Sequence, residues 1–295
     1  MKILVTVPPY APFLEELGRH PAVSGLRLNT VMPIRGSEEE ILQKLASLGK
    51  ELWVDLKGRQ LRVVGGAVPP YAPVTLSHAI EVPCPTDAWF SDGREHARIV
   101  AVDGHRLILE DGPRRFVGPG ESVNIPHPRL KIFGTLTESD RRYLEAMKKL
   151  GLRRVMLSFV ETAADVAEVQ ALLPGAEVIQ KIESVRGLDY VRREGNRHGR
   201  LMAARGDLFV EVPQPHRILS ALRWIREADP EAIVASRLFP SLARGPVPEA
   251  ADISDAAFLL ALGYQSFMLG DEVCLRRDSV MAALHLLEAV ATEQR

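Results

Sequence analysis

Val178-Ile-Gln-Lys-Ile-Glu-Ser184 and Leu201-Met-Ala-Ala-Arg-Gly-Asp-Leu208 decide how this chain is read. Each opens with a short apolar run and ends abruptly in charge: Lys181 and Glu183 in the first, Arg205 and Asp207 in the second. A strand buried in a parallel sheet reads as a near-continuous apolar run. Charge at its C-terminal end is costly unless it is paired or holds a ligand. That end is also where an α/β barrel assembles its chemistry. Positions 181 and 183 alternate, so both side chains fall on one face of the strand, and Asp207 arrives from the neighbouring run. Two carboxylates and one lysine converging there suit a divalent cation and an oxyanion. The plainer alternative is a structural ion-pair cluster at a barrel mouth.

The same rhythm extends in both directions. Residues 2–7, 25–29, 51–56, 154–159, 232–236 and 266–270 read as further strands, the first closed by Pro8-Pro9. Helices are expected over 12–20, after the N-cap Ser37, over 137–150, 162–173, 215–228, 252–263 and 278–292. Between 61 and 126 the texture changes. Short strand-like runs at 61–64, 97–102 and 106–110 are separated by Asp103-Gly104 and Asp111-Gly112, both hairpin signals. The expectation is an α/β chain: a (β/α)8 TIM barrel from residues 1–60 and 127–295, with a small lid-like β domain, 61–126, inserted after the third strand.

Composition narrows the partners. The formal charge of -1 and the lack of a long basic cluster argue against nucleic acid. The first apolar run is too short for a signal peptide or a membrane span. Cys84 and Cys274 are the only cysteines, which points to a reducing, cytoplasmic compartment without a disulfide framework, and both thiols read as packing residues.

An ordered set of motifs then becomes specific. Val5-Thr-Val-Pro-Pro9, Leu26-Arg-Leu-Asn29, Val54-Asp-Leu-Lys-Gly58, Ser91-Asp-Gly93, Val123-Asn-Ile-Pro126, Leu136-Thr137, Ser158-Phe159, Lys181-Ile-Glu183, Ala204-Arg-Gly-Asp-Leu208, Ser254-Asp255 and Met268-Leu-Gly-Asp-Glu272 run through nearly the whole chain. In order and rough spacing the series resembles pyruvate kinase, a family whose fold is a TIM barrel with a β domain inserted after its third strand. The resemblance implies that Glu183 and Asp207 bind Mg²⁺ or Mn²⁺ and that Lys181 stabilises charge on an enol oxygen or a passing phosphoryl group. It implies phosphate contacts for Arg27 and Arg62, and a monovalent cation at Asn29 and Asp55. Ser236 stands where the family has a threonine implicated in proton transfer, Glu272 matches an active-site glutamate, and the amides of Gly206 and Asp207 would receive the substrate carboxylate.

Departures fall on the nucleotide side. Val31 and Met32 replace a serine and a histidine, Glu121 replaces a phosphate-facing lysine, Phe209 replaces a glycine, and a Ser-Gly-Glu-Thr-Ala-Lys run has become Gly270-Asp-Glu-Val-Cys-Leu275. The insert is shorter than the family's. Its C-terminal regulatory domain has no counterpart after the last barrel helix, so sugar-phosphate control is expected to be absent.

These features together define the expected function: Mg²⁺-dependent stabilisation of a pyruvate enolate. The loss of nucleotide contacts directs it toward carbon–carbon chemistry of the aldolase type on pyruvate or a 2-oxo acid. Retention of Arg27, Arg62 and Lys181 supports the alternative, phosphoryl transfer between phosphoenolpyruvate and a nucleotide. A catalytically silent metabolite-binding barrel is the third reading. By resemblance, the partners are pyruvate, phosphoenolpyruvate or a related 2-oxo acid and a second copy of the chain in a homo-oligomer, with no nucleic acid and no membrane.

Overall fold

Alternation along eight short strands sets what faces the barrel interior. A computed structural model describes residues 1–294. Its eight parallel strands are Lys2–Thr6, Val23–Asn29, Glu51–Leu56, Arg154–Leu157, Glu177–Ile182, Arg200–Ala204, Ile233–Ala235 and Ser266–Leu269. They pair in chain order, and the eighth closes onto the first. Leu4, Trp53, Met156, Ile179, Met202 and Met268 pack as the inner apolar layer. Two residues further along, Thr6, Asp55, Ser158 and Lys181 are polar and buried. A period of two therefore carries each strand from apolar plug to chemistry.

The helices cover the outside of the barrel with the larger apolar core, which includes Leu17, Leu42, Leu144, Val169, Leu222 and Leu284. Ser37 and Thr137 each close a capping box, with Glu40 and Asp140. Asp140 does more than cap: its two oxygens accept from the amides of Lys57 and Gly58, tying the exit of the third strand to the next barrel helix. No described helix is long and apolar enough to cross a membrane.

Between the third and fourth barrel strands the chain forms a five-stranded antiparallel sheet, in the order Val74–Thr75, Arg106–Asp111, Glu95–Asp103, Thr86–Phe90, Val123–Asn124. It has its own apolar core, from Leu61 and Val63 through Phe90 and Ile99 to Leu130. A two-stranded ladder, Ile80–Glu81 with Lys131–Ile132, lies beside it.

Several local expectations are corrected. Residues 61–64 form only isolated bridges, Arg62 to Ser122 and Val63 to Leu76. Asp103-Gly104 makes its hairpin, with Gly104 in the left-handed region, but the strand ending at Asp111 has no such return. Arg205-Gly-Asp207 does not end a strand: pairing stops at Ala204 and Arg205–Glu211 is helical. Helix Val185–Glu194 was not expected, although Gly187, Leu188, Tyr190 and Val191 bury one face at helical spacing. Cys274 is buried as expected of a packing residue, whereas Cys84 is exposed.

Candidate functional site

The polar layer at the strands' C-terminal ends opens into a cavity of about 1340 Å³, bounded by the barrel mouth and the inserted sheet. Lys181 stands at its base. The ammonium Nζ lies 2.9 Å from Ser158 Oγ, 3.2 Å from Asp55 Oδ1 and 3.3 Å from Glu183 Oε1. Burial alone would drive its proton off, but Asp55 and Glu183 outweigh that and hold its pKa above the ordinary lysine value.

The two acids are poised the other way. Burial pushes Glu183 up to about 7, with Asp207 and Asp55 adding to the effect and Lys181 opposing it. Its Oε2 accepts from the Phe159 amide at 2.9 Å, which fixes the carboxylate. Asp207 is also raised, chiefly by burial and then by Asp92. Gln60 donates to its Oδ2 at 2.9 Å and Asn124 to its Oδ1 at 3.0 Å. Two desolvated carboxylates sharing one lysine are a net-negative set of hard oxygens, which fits Mg²⁺ or Mn²⁺. Among the described residues no three or more His, Cys, Asp or Glu are placed to hold a metal ion together, so the remaining ligands of such an ion would be water or substrate oxygens.

Arg27 is fully committed. Its guanidinium contacts Asp55 Oδ2 at 2.6 Å and Asp271 Oδ1 at 2.9 Å, and it also donates to Thr6 Oγ1. Asn29 Nδ2 donates to the other oxygen of Asp271 at 3.0 Å. Although burial disfavours its charge, Arg27 keeps Asp271 below the usual carboxylate range, helped by Asn29. The donors expected for a monovalent cation are engaged within the protein. Asp55 is held by two protein cations, and Asn29 Oδ1 accepts from the Val31 amide.

The remaining expected residues divide. Arg62 lines the cavity, donates to Gly120 O and Gln60 Oε1, and leaves its buried Nε without a partner. Gly206 and Ser236 meet: a Cβ at Gly206 would lie 3.6 Å from Ser236 Oγ, an ordinary contact. Arg205 binds Asp255 and donates twice to the Ser236 carbonyl, pinning the loop after the seventh strand. In that loop Ser236, Arg237 and Phe239 all have positive φ, each costing about 1–3 kcal/mol. Glu272 does not join Lys181. It lies at the cavity rim in an exposed ion pair with Arg94 of the insert, at 2.7 Å. Glu121, read as a lost lysine, pairs with Arg115 and accepts from Ser91, holding the Ser91-Asp92-Gly93 turn.

Four residues of the site were missed. Asn124 lay inside a quoted motif, and the structure shows that it bridges Asp207 and Glu211. Asp271 falls in the changed Gly270–Leu275 run and supplies a carboxylate there. Gln60 and Arg237 carried no signal beyond polarity at a strand exit.

Comparisons with known proteins show the family. The family model described as "Pyruvate kinase, barrel domain" matches residues 80–275. A protein of Agrobacterium vitis named pyruvate kinase is 34% identical over 205 residues, covering 68% of this chain and 42% of that relative. One from Borreliella burgdorferi, also named pyruvate kinase, is 29% identical over 211 residues, or 68% of this chain and 44% of the relative. One of the same name from Methylorubrum extorquens is 27% identical over 308 residues, 92% of this chain and 64% of the relative. The matched part thus spans under half of the first of these proteins.

Proposed function

The chain belongs to the pyruvate kinase family, and from that premise we propose that it stabilises the enolate of a three-carbon 2-oxo acid during phosphoryl transfer between phosphoenolpyruvate and a nucleoside phosphate. The observation that carries this reading is the contact set of Lys181, a protonated ammonium within 3.3 Å of Asp55 and Glu183 and 2.9 Å of Ser158, at the base of the cavity. An ammonium fixed there before reaction offsets charge on the enol oxygen without reorganisation. Glu183 and Asp207 are the residues that would hold a divalent ion, and when bound it would supply further electrostatic stabilisation of that oxygen.

In the transfer, the bond between phosphorus and the enol oxygen of phosphoenolpyruvate breaks and a bond to a terminal oxygen of the nucleotide forms. The enolate then takes a proton at its methylene carbon to give pyruvate. Ser236, beside Gly206, is the hydroxyl assigned to that proton path, and the first helical turn at Gly206 and Asp207 the seat of the substrate carboxylate. Arg62 is assigned to the phosphoryl group. The division expected from the sequence, barrel 1–60 and 127–295 with a lid of 61–126, is part of this proposal. Asn124 and Gln60 are then the two side chains through which the insert and its root grip the metal-binding carboxylate.

The test is direct. With Mg²⁺, phosphoenolpyruvate and a panel of nucleoside diphosphates, purified protein should release pyruvate only when a diphosphate is present. Pyruvate release that never depends on a nucleotide would remove the phosphoryl-transfer reading.

A second reading has its own support. Arg27, one of the two expected phosphate contacts, is already occupied by Asp271. A substrate with no phosphoryl group would leave that pair undisturbed, as in aldol addition or cleavage at the enolate carbon. Release of pyruvate from a 4-hydroxy-2-oxo acid, with no activity toward phosphoenolpyruvate, would favour it.

A further inference from the structure

Most cations of the cavity are neutralised within the protein. Arg27 is held by Asp55 and Asp271, Lys181 by Asp55 and Glu183, Arg186 by Glu161, Arg94 by Glu272, and Arg244 by Glu249. Lys57, Arg62 and Arg237 make no ion pair among the described residues; Arg62 donates to Gly120 O and Gln60 Oε1, whereas the one hydrogen bond of Arg237 is a long one, Nη2 to Gly206 O at 3.3 Å. A guanidinium carries five N–H donors, and on this exposed side chain most of them face solvent at the cavity mouth. The group is nevertheless fixed in place. It stacks on Phe209, 4.5 Å from the ring centroid, and its backbone is left-handed, as is that of Ser236 before it. Desolvation and the like charge of Arg205 act against its protonation, while Asp92, Asp207 and Glu272 favour it without coming within ion-pair distance.

Position gives this cation a purpose. Both Arg237 and Phe209 line the cavity, and the carbonyl that Arg237 touches belongs to the residue next to Asp207. An unpaired, stacked guanidinium is a bidentate receptor for phosphate or carboxylate. Strain at non-glycine residues beside a cleft points to function more often than to accident.

We propose that Arg237 receives the oxyanion of the second substrate, the phosphate or carboxylate carried by the molecule that reacts with the enolate. This rests on the enolate reading of the cavity. Arg237 is a specificity residue in this scheme: it fixes which partner enters, while Lys181 and its carboxylates act on the three-carbon acid.

The experiment is calorimetry on wild-type, Arg237→Gln and Arg237→Lys protein in Mg²⁺, with oxalate as enolate mimic and with inorganic triphosphate or succinate as the second anion. Arg237→Gln should leave oxalate binding within about twofold and weaken one of the two second anions by about 10- to 100-fold. The weakened anion identifies the source, a phosphate or a carboxylate. Arg237→Lys should recover part of the loss, because it restores charge without the planar fork. If oxalate binds and both second anions bind Arg237→Gln as tightly as wild type, the inference is overturned on its own. If oxalate does not bind wild-type protein, the enolate reading fails and takes this inference with it.

Discussion

Asp271 sits on Arg27 as a bound anion would: Oδ1 lies 2.9 Å from the guanidinium Nη1, and Oδ2 accepts from Asn29. Arg27 also carries Asp55, so one buried cation serves two carboxylates. The arrangement is stable because Arg27 and Asp55 would otherwise be buried, unpaired charges, while Asp271 stays partly exposed. It also means that a phosphoryl group reaching Arg27 must displace a carboxylate of the protein itself.

Removing that carboxylate should therefore open an anion seat. Asp271→Ala frees Arg27 Nη1 and Asn29 Nδ2, and inorganic phosphate should bind the variant at least about tenfold more tightly than wild type, the worth of one charge-assisted hydrogen bond. Titration calorimetry at pH 7.5 reads this. Equal affinity in both proteins would mean that Asp271 does not compete for the seat.

Lys181 and Glu272 should separate cleanly. Lys181→Met removes the charge at the cavity base and is expected to lower kcat by about 10²–10⁴. Glu272→Gln breaks only an exposed pair with Arg94. Such pairs contribute about 0–1 kcal/mol, so its kcat should stay within a few-fold of wild type. A Glu272 variant as inactive as the Lys181 variant would restore Glu272 to the chemistry.

Glu211 gives a pH signature that does not depend on turnover. Burial, partly opposed by Arg186 and Asn124, raises its pKa to about 7 from 4.5 in the unfolded chain. Between those values the native state keeps a proton that the unfolded state releases. Its contribution is therefore full below about pH 4.5 and lost as the pH rises through 7. Glu211→Gln keeps an oxygen for Asn124 and carries no charge. Its unfolding free energy from urea titration should match wild type at pH 5 and exceed it at pH 8, by about 2–3 kcal/mol. Equal free energies at both pH values would place the proton elsewhere.

Gly58 supports the site through its backbone. It lies in the left-handed region, and a Cβ there would fall 2.4 Å from Ser158 O. Ser158 in turn holds Lys181. Gly58→Ala should cost about 2–4 kcal/mol from strain and displacement together. Thermal melts would read that loss. A change under about 0.5 kcal/mol would mean the third-strand exit yields more easily than its packing indicates.

Much of this architecture could be read from periodicity. Every barrel strand is announced by an apolar run, because burial on both faces demands one. Lys181, Glu183 and Asp207 stand out because charge after such a run is expensive. The insert was harder to read: strands at Thr86–Phe90 and Val123–Asn124 are short, and residues 61–64 pair too sparsely to count as one. The site residues that escaped notice, Gln60, Asp271 and Arg237, sit on strand exits where any polar residue is unremarkable in sequence. Their partners, Asp207, Arg27 and Phe209, lie between 28 and 244 positions away in all three cases, and only closure of the barrel brings them together.

Stabilisation of a pyruvate enolate by Lys181, with Glu183 and Asp207, is common to phosphoryl transfer and to aldol chemistry. Proton NMR of pyruvate in D₂O with Mg²⁺ or Mn²⁺ reads that step without a second substrate. Wild-type protein should exchange the methyl protons for deuterium, and Lys181→Met should slow that exchange at least about 100-fold. Exchange at the same rate in both proteins, or none above the buffer rate with wild type, would contradict the account.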